Sequence, residues 1–334
     1  MIRKNLLIML SIFLMSSLCF AGGQEESSTN NSSSDNYGSI NNSETEQTFI
    51  PFTVTTYEQE VTYDHVPKRA VSLNAHTTEI MLAMGLGDVM VGTSYNNAPV
   101  LPEYQEEFRK IPQLADKYPS LEVFLNADPD FVFGRSSAFN EKSVASLETI
   151  LDYGIMAYVC KGSYTVGTTM EDVYKDFQVI GRVFQVEERA DEIVQGMKAR
   201  IDSIQKKIGK REPLRVFVLD ATGDTAFTAC RSLQTSLIEA AGGENIFDDI
   251  DKVWASVSWE EVVERNPEVI VINEYGNTPA SEKIAFAKSL PAMIDVDAVK
   301  NDRFVIVELP AVFPGIRNAD TVEQLAEAFY PELF

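Results

Sequence analysis

Aromatic and basic side chains recur just after the apolar, strand-like runs of this chain. Tyr95 and Asn96 follow VMVG (89–92), Arg135, Ser136 and Ser137 follow DFVFG (130–134), and Lys161, Ser163 and Tyr164 follow IMAYV (155–159). Further on, Asp224, Thr225, Phe227 and Arg231 follow LRVFVL (214–219), and Trp254 precedes a helix-like run. Tyr275 follows EVIVIN (268–273), and Phe313 and Arg317 follow DRFVIVE (302–308). Aromatic faces with a few cations suit a large, partly flat, partly anionic small molecule. The candidate ligand contacts are Tyr95, Arg135, Tyr164, Phe227, Trp254, Tyr275 and Arg317, joined by His76, which follows the first strand.

Enzyme signatures are missing. No G-x-G-x-x-G follows a strand, and there is no P-loop and no G-x-S-x-G. His65 and His76 are the only histidines, too few for the His-rich cage that a bare transition metal prefers. No run of carboxylates has the spacing of a calcium loop. The expectation is a non-enzymatic binding protein with no catalytic residue, no intrinsic cofactor and no direct metal ligand.

Alternating strands and helices must position these residues. KRAVSL (68–73), VMVG, DFVF and IMAYV read as strands, with helices over 74–88, 120–128, 141–154 and 170–184 between or after them. The later half repeats the alternation, which implies parallel sheets with helices on both faces. SLEVFLNADPDFVF (120–133) and SWEEVVERNPEVIV (258–271) align without a gap at an offset of 138 residues. Ser120 matches Ser258, Glu122 matches Glu260 and Pro129 matches Pro267. The fold expected is α/β, with two Rossmann-like lobes joined by one long helix and a ligand cleft between them.

That helix is read over 186–209. Ala190, Val194, Met197, Ile201, Ile204 and Ile208 recur at one-face spacing, acids lead and lysines trail, and Gly209 and Pro213 stop it. The expected organisation is a signal peptide (1–21), a disordered tether and lead-in (22–66), a first lobe (67–185), the helix, and a second lobe (210–334). A stiff helical hinge implies a small change of lobe angle on binding.

The signal shows Arg3 and Lys4 before the apolar run Leu6 to Leu14. It is either cut after Ala21 or carries an acylated Cys19 as a lipid anchor. Both alternatives place the mature protein in the periplasm or on the outer face of the cytoplasmic membrane. Residues 22–50 are Ser/Asn-rich, as a tether would be. A net charge of -22 at pH 7 argues against nucleic-acid partners. Cys160 and Cys230 flank the helix and are expected as free thiols rather than a bridge.

From about Lys68 to Phe334 the chain resembles the helix-hinged (class III) periplasmic binding proteins of ABC importers for ferric siderophores, haem and vitamin B12. The stretches that carry this are PKRAVSLNAHTTEIMLAMGLGDVMVG, SLEVFLNADPDFVFG, SLIEAAGGENIFDD, VSWEEVVERNPEVIVI and AVKNDRFVIVELPAVFPGIRNADTVEQLA. IEAAGGENIFDD followed by VWASVSWEEV is especially similar to the vitamin B12-binding members. The resemblance implies that Phe227 and Trp254 contact ligand and that Glu122 and Glu260 dock onto the permease. It implies an iron or cobalt chelate as cargo, an ABC permease dimer with its ATPase as partner, and a monomer. Parts of the second half also resemble a branch assigned to deazaflavin-type precursors. An anionic cofactor as cargo therefore stays open, as does a sensor or adhesin that reuses the fold.

Overall fold

A computed structural model describes residues 49–276 and 278–334. The signal peptide, Cys19 and most of the tether lie outside the described residues. Among the described residues no helix is long and apolar enough to cross a membrane.

The described chain opens with a hairpin of β1 (Phe52–Thr56) and β2 (Gln59–Tyr63). Five parallel strands follow: β3 (Ala70–Ser72), β4 (Met90–Ser94), β5 (Gln113–Ala115), β6 (Phe131–Gly134) and β7 (Met156–Val159). Helices α1 (Ala75–Ala83), α2 (Gln105–Phe108), α3 (Leu121–Asn126), α4 (Leu147–Asp152) and α5 (Met170–Val183) alternate with them. The long helix is α6 (Glu187–Ile208). Beyond it lie β8 (Leu214–Leu219), β9 (Ala226–Ala229), β10 (Gly243–Asn245), β11 (Trp254–Val257), β12 (Val269–Glu274) and β13 (Phe304–Glu308). The remaining helices are α7 (Leu233–Ala240), α8 (Trp259–Arg265), α9 (Ala280–Ser289), α10 (Asp297–Lys300) and α11 (Asn318–Phe329).

The first sheet has the order β5-β4-β3-β6-β7 and the second β10-β8-β12-β13. All pairings within both are parallel. The order β4-β3-β6-β7 therefore reappears as β10-β8-β12-β13, and the sequence repeat falls on α3–β6 and α8–β12. The equivalence extends to side chains. Ser120 and Ser258 cap their helices by accepting from the N–H groups of Val123 and Glu261. Both helices end on a left-handed residue, Asp128 (φ 52) and Asn266 (φ 40). Arg69 and Arg215, each beside the first strand of its sheet, donate from Nε to the carbonyls of these two residues. Asp130 and Glu268 return the favour by accepting from the backbone N–H groups of Arg69 and Arg215.

Helix α6 buries Ala190, Ile193, Val194, Met197, Ile201, Ile204 and Ile208. That face packs against α5 from one side and α11 from the other. Burial on this scale supplies on the order of 10 kcal/mol. Ion pairs brace its outer face: Lys198 meets Glu171 on α5 at 3.2 Å, and Arg200 reaches Asp320 and Glu323 on α11. Gly209 ends the helix at φ 67, a conformation that costs glycine nothing.

Two expectations need correction. The lead-in before residue 67 is not all tether, because residues 52–63 form the β1–β2 hairpin. Its period-two alternation lays Phe52, Val61 and Tyr63 on the first lobe, and Tyr63 is fully buried with its hydroxyl donating to Ala157 O at 2.9 Å. Thr53, Thr55, Glu60 and Thr62 face the solvent. The helix expected over 141–154 is only α4, because Ser146 caps it late by accepting from Thr149 N–H. Cys160 and Cys230 are buried free thiols, and burial pushes both pKa values up.

Candidate functional site

In open parallel sheets, ligands bind beyond the strand carboxyl ends, where the chain switches direction across the sheet. The switch in the first sheet lies between β3 and β6. Asn74 follows β3 and accepts at Oδ1 from Arg135 N–H at 3.0 Å. The Arg135 guanidinium lies over the rings of Tyr95 (5.1 Å) and Phe313 (4.9 Å), one from each lobe. Its Nε donates to Tyr118 Oη and Ser137 Oγ at 3.1 and 2.8 Å. Tyr95 stacks on Tyr118 at 4.7 Å, and its backbone is held at φ 53, a strained conformation for an aromatic residue. Arg135 makes no ion pair among the described residues. A half-buried guanidinium with aromatic faces and no carboxylate has charge to offer an incoming anion.

The second switch lies between β8 and β12. Asp220 follows β8 and accepts at Oδ2 from the Tyr275 hydroxyl at 2.6 Å. Burial, then the Asp220 hydrogen bond and charge, push the Tyr275 pKa well up, with a smaller contribution from the Tyr95 phenol. The antiparallel β9–β11 pair sits beside this edge. It brings Phe227 and Trp254 onto one face as diagonal neighbours, stacked 6.0 Å apart with 15° between planes. Phe227 is 37% exposed, an open aromatic surface.

Three candidates do other work. His76 is 3% exposed, stacks on Phe313 at 5.4 Å, and its Nδ1–H donates to Pro314 O at 2.8 Å. Burial, then the charge of Arg135, hold its pKa down at about 3, so the ring is neutral. It is a rivet between lobes. Arg317 is 8% exposed and spends its guanidinium on Glu79, Glu308 and the Pro99 carbonyl. It is committed to this cross-lobe cluster, not offered to a ligand. The Tyr164 hydroxyl accepts from Tyr57 N–H at 3.0 Å, and the ring packs edge-on against Tyr57 at 5.0 Å. Tyr164 anchors the hairpin.

Sequence reading missed Tyr118, which sits in what looked like a proline-rich loop and became the partner of both Tyr95 and Arg135. It also passed over Lys283, a buried lysine on α9 beside Tyr275. Glu122 and Glu260 stand exposed in the first turns of α3 and α8, and neither makes an ion pair among the described residues.

The family model described as periplasmic binding protein matches residues 71–310. An uncharacterised ABC transporter substrate-binding lipoprotein of Bacillus subtilis is 29% identical over 83% of this chain and 84% of its own length. The vitamin B12-binding protein of Photorhabdus laumondii is 27% identical over 62% of this chain and 71% of its own. Among solved structures, a periplasmic binding protein from Veillonella parvula superposes with a TM-score of 0.79 at 30% identity, covering 84% of this chain and 98% of that one. An ABC-type Fe3+-hydroxamate transport system protein from Saccharomonospora viridis gives 0.73 at 26% identity, covering 84% and 99%. With two parallel-sheet lobes, a helical connection and this match over most of its length, the chain belongs to the periplasmic binding proteins, as a substrate-binding protein of an ABC transporter and not an enzyme.

Proposed function

We propose that this protein captures a bulky metal chelate of iron or cobalt (a ferric siderophore, haem or corrinoid) and hands it to its permease. The observation that carries the reading is Arg135, held between Tyr95 and Phe313 without a carboxylate. Stacked Phe227 and Trp254 add a flat apolar wall to the cleft. Relatives named for vitamin B12 and for Fe3+-hydroxamate transport support the same ligand class. Native mass spectrometry of protein purified without denaturant from a rich medium tests it. A stoichiometric extra mass with an iron or cobalt isotope pattern supports the chelate. A metal-free deazaflavin-like mass overturns it. Arg135→Met is expected to weaken the retained ligand at least tenfold, about 1.4 kcal/mol, in a titration read by tryptophan fluorescence. Trp259 is buried in the second lobe, so Trp254→Phe should remove most of the signal.

Delivery rests on Glu122 and Glu260. The repeat sets one exposed, unpaired carboxylate on each lobe, at equivalent positions, matching a permease with paired basic patches. Reversing both, Glu122→Arg with Glu260→Arg, is expected to cut uptake by more than tenfold and leave ligand affinity within twofold. Unchanged uptake would favour a sensor or adhesin that needs no permease.

A further inference from the structure

Lys283 is 2% exposed, the one buried lysine among the described residues. Its Nζ donates to the carbonyls of Asp220 (2.6 Å), just after β8, and Asn273 (2.5 Å), one residue before the end of β12, at the second switch point. The same ammonium lies 4.3 Å from the Tyr275 ring centroid. It has no ion-pair partner at contact distance among the described residues. It sits in the first turn of α9, where the helix dipole opposes a cation. Burial pulls its pKa down, and the Asp220 and Glu274 charges oppose that shift. A buried lysine in so unhelpful a place is expensive unless something uses it.

Beside it is a pocket of about 140 Å³ lined by Asp220, Ala221, Thr222, Tyr275, Thr278 and Lys283. With a liquid water occupying about 30 Å³, it has room for a short arm of roughly five non-hydrogen atoms. The pocket offers a donor, since two of the three Lys283 N–H bonds are used. It also offers an acceptor. Asp220 receives one hydrogen bond at each oxygen, from Asn273 Nδ2 and the Tyr275 hydroxyl, and each oxygen has a lone pair to spare. The two charges oppose one another, so a charged arm would lose its hydration without net attraction. From this geometry we infer that the pocket is a second subsite of the cleft, taking a short neutral arm that both donates and accepts, such as a primary amide. This rests on the cleft reading above, in which Tyr275, just after β12, belongs to the cleft.

Isotope-labelled protein titrated with propionamide, propionate and propylammonium tests the inference without a metal chelate. The amide resonances of Gly276 and Thr278 report the pocket. Propionamide is expected to give saturable shifts at least fivefold tighter than either ion. Lys283→Met should abolish them. Thr222→Val, which keeps the ammonium and removes a lining hydroxyl, should weaken them if the methionine variant does not fold. Trp254→Ala should leave them intact. Preferred binding of propionate, or equal shifts with all three probes, would overturn it. Chelates that fail to bind while propionamide succeeds would remove the cargo reading and keep the subsite.

Discussion

Arg317→Met is expected to destabilise the protein by about 3–5 kcal/mol at neutral pH, measured by urea unfolding. The guanidinium makes two hydrogen bonds to Glu79, at 2.8 and 2.6 Å, and one to Glu308 at 2.6 Å. Glu79 belongs to α1 in the first lobe, and Glu308 and Arg317 belong to the second. Without the arginine, Glu79, fully buried, keeps only the Leu101 N–H among its hydrogen bonds. The cost is that of an uncompensated buried carboxylate, not the net worth of the pair. A second substitution separates the two. Glu79→Gln added to Arg317→Met removes the stranded charge, so the double variant should be more stable than the single by about 1–3 kcal/mol. Hydrogen exchange at Leu101 should accelerate in both, because the lobes lose a shared fastening. A loss below about 1 kcal/mol for Arg317→Met would mean that water reaches the cluster and that the pair is a surface one.

The sheets were legible because their signals are local: alternation, caps, prolines and a gap-free repeat. Glu122 and Glu260 fall on equivalent helix turns because that repeat reaches the side-chain level, down to Arg69 and Arg215. Arg317 looked like a cleft cation because it follows a strand. Its partner Glu79 lies 238 positions away, and no periodicity relates two such residues. Phe227 and Trp254 stand on different strands, and their stacking depends on an antiparallel pair, β9–β11, embedded in a parallel fold. Tyr118 carried no signal at all, since its importance comes from Arg135 and Tyr95 converging on it. Strand ends show where a site can be. Which candidates are already taken up within the protein, as His76 and Arg317 are, is set by contacts between lobes.

Two buried titrations should pull stability in opposite directions with pH. His76 is neutral in the folded protein, with its pKa held down at about 3 by burial and by Arg135. Its Nδ1–H is spent on Pro314, and Nε2 has no partner among the described residues. Between the unfolded value of about 6.5 and the folded one, the unfolded chain binds a proton that the folded protein refuses. Stability is therefore lost as pH falls through that window, at up to about 1.4 kcal/mol per pH unit. Asp176 on α5 behaves conversely. Burial raises its pKa to about 7, against the hydrogen bonds from Tyr158 and the Lys161 N–H, with Asp172 adding to the rise. Oδ2 has no hydrogen-bond partner among the described residues, whereas Oδ1 accepts from Tyr158 and the Lys161 N–H. Here the folded protein holds a proton that the unfolded chain has released. That contribution is complete below about pH 4 and is lost as pH rises to about 7. Asp176→Asn mimics the protonated acid, so its advantage over the parent protein should grow from pH 4 to 7 and then level off. The advantage of His76→Gln should grow in the other direction, as pH falls below 6.5. Chemical unfolding at half-unit steps would resolve the two trends. Parallel curves for either variant and the parent would show that its side chain is hydrated in the folded state, and would remove that residue from the buried set.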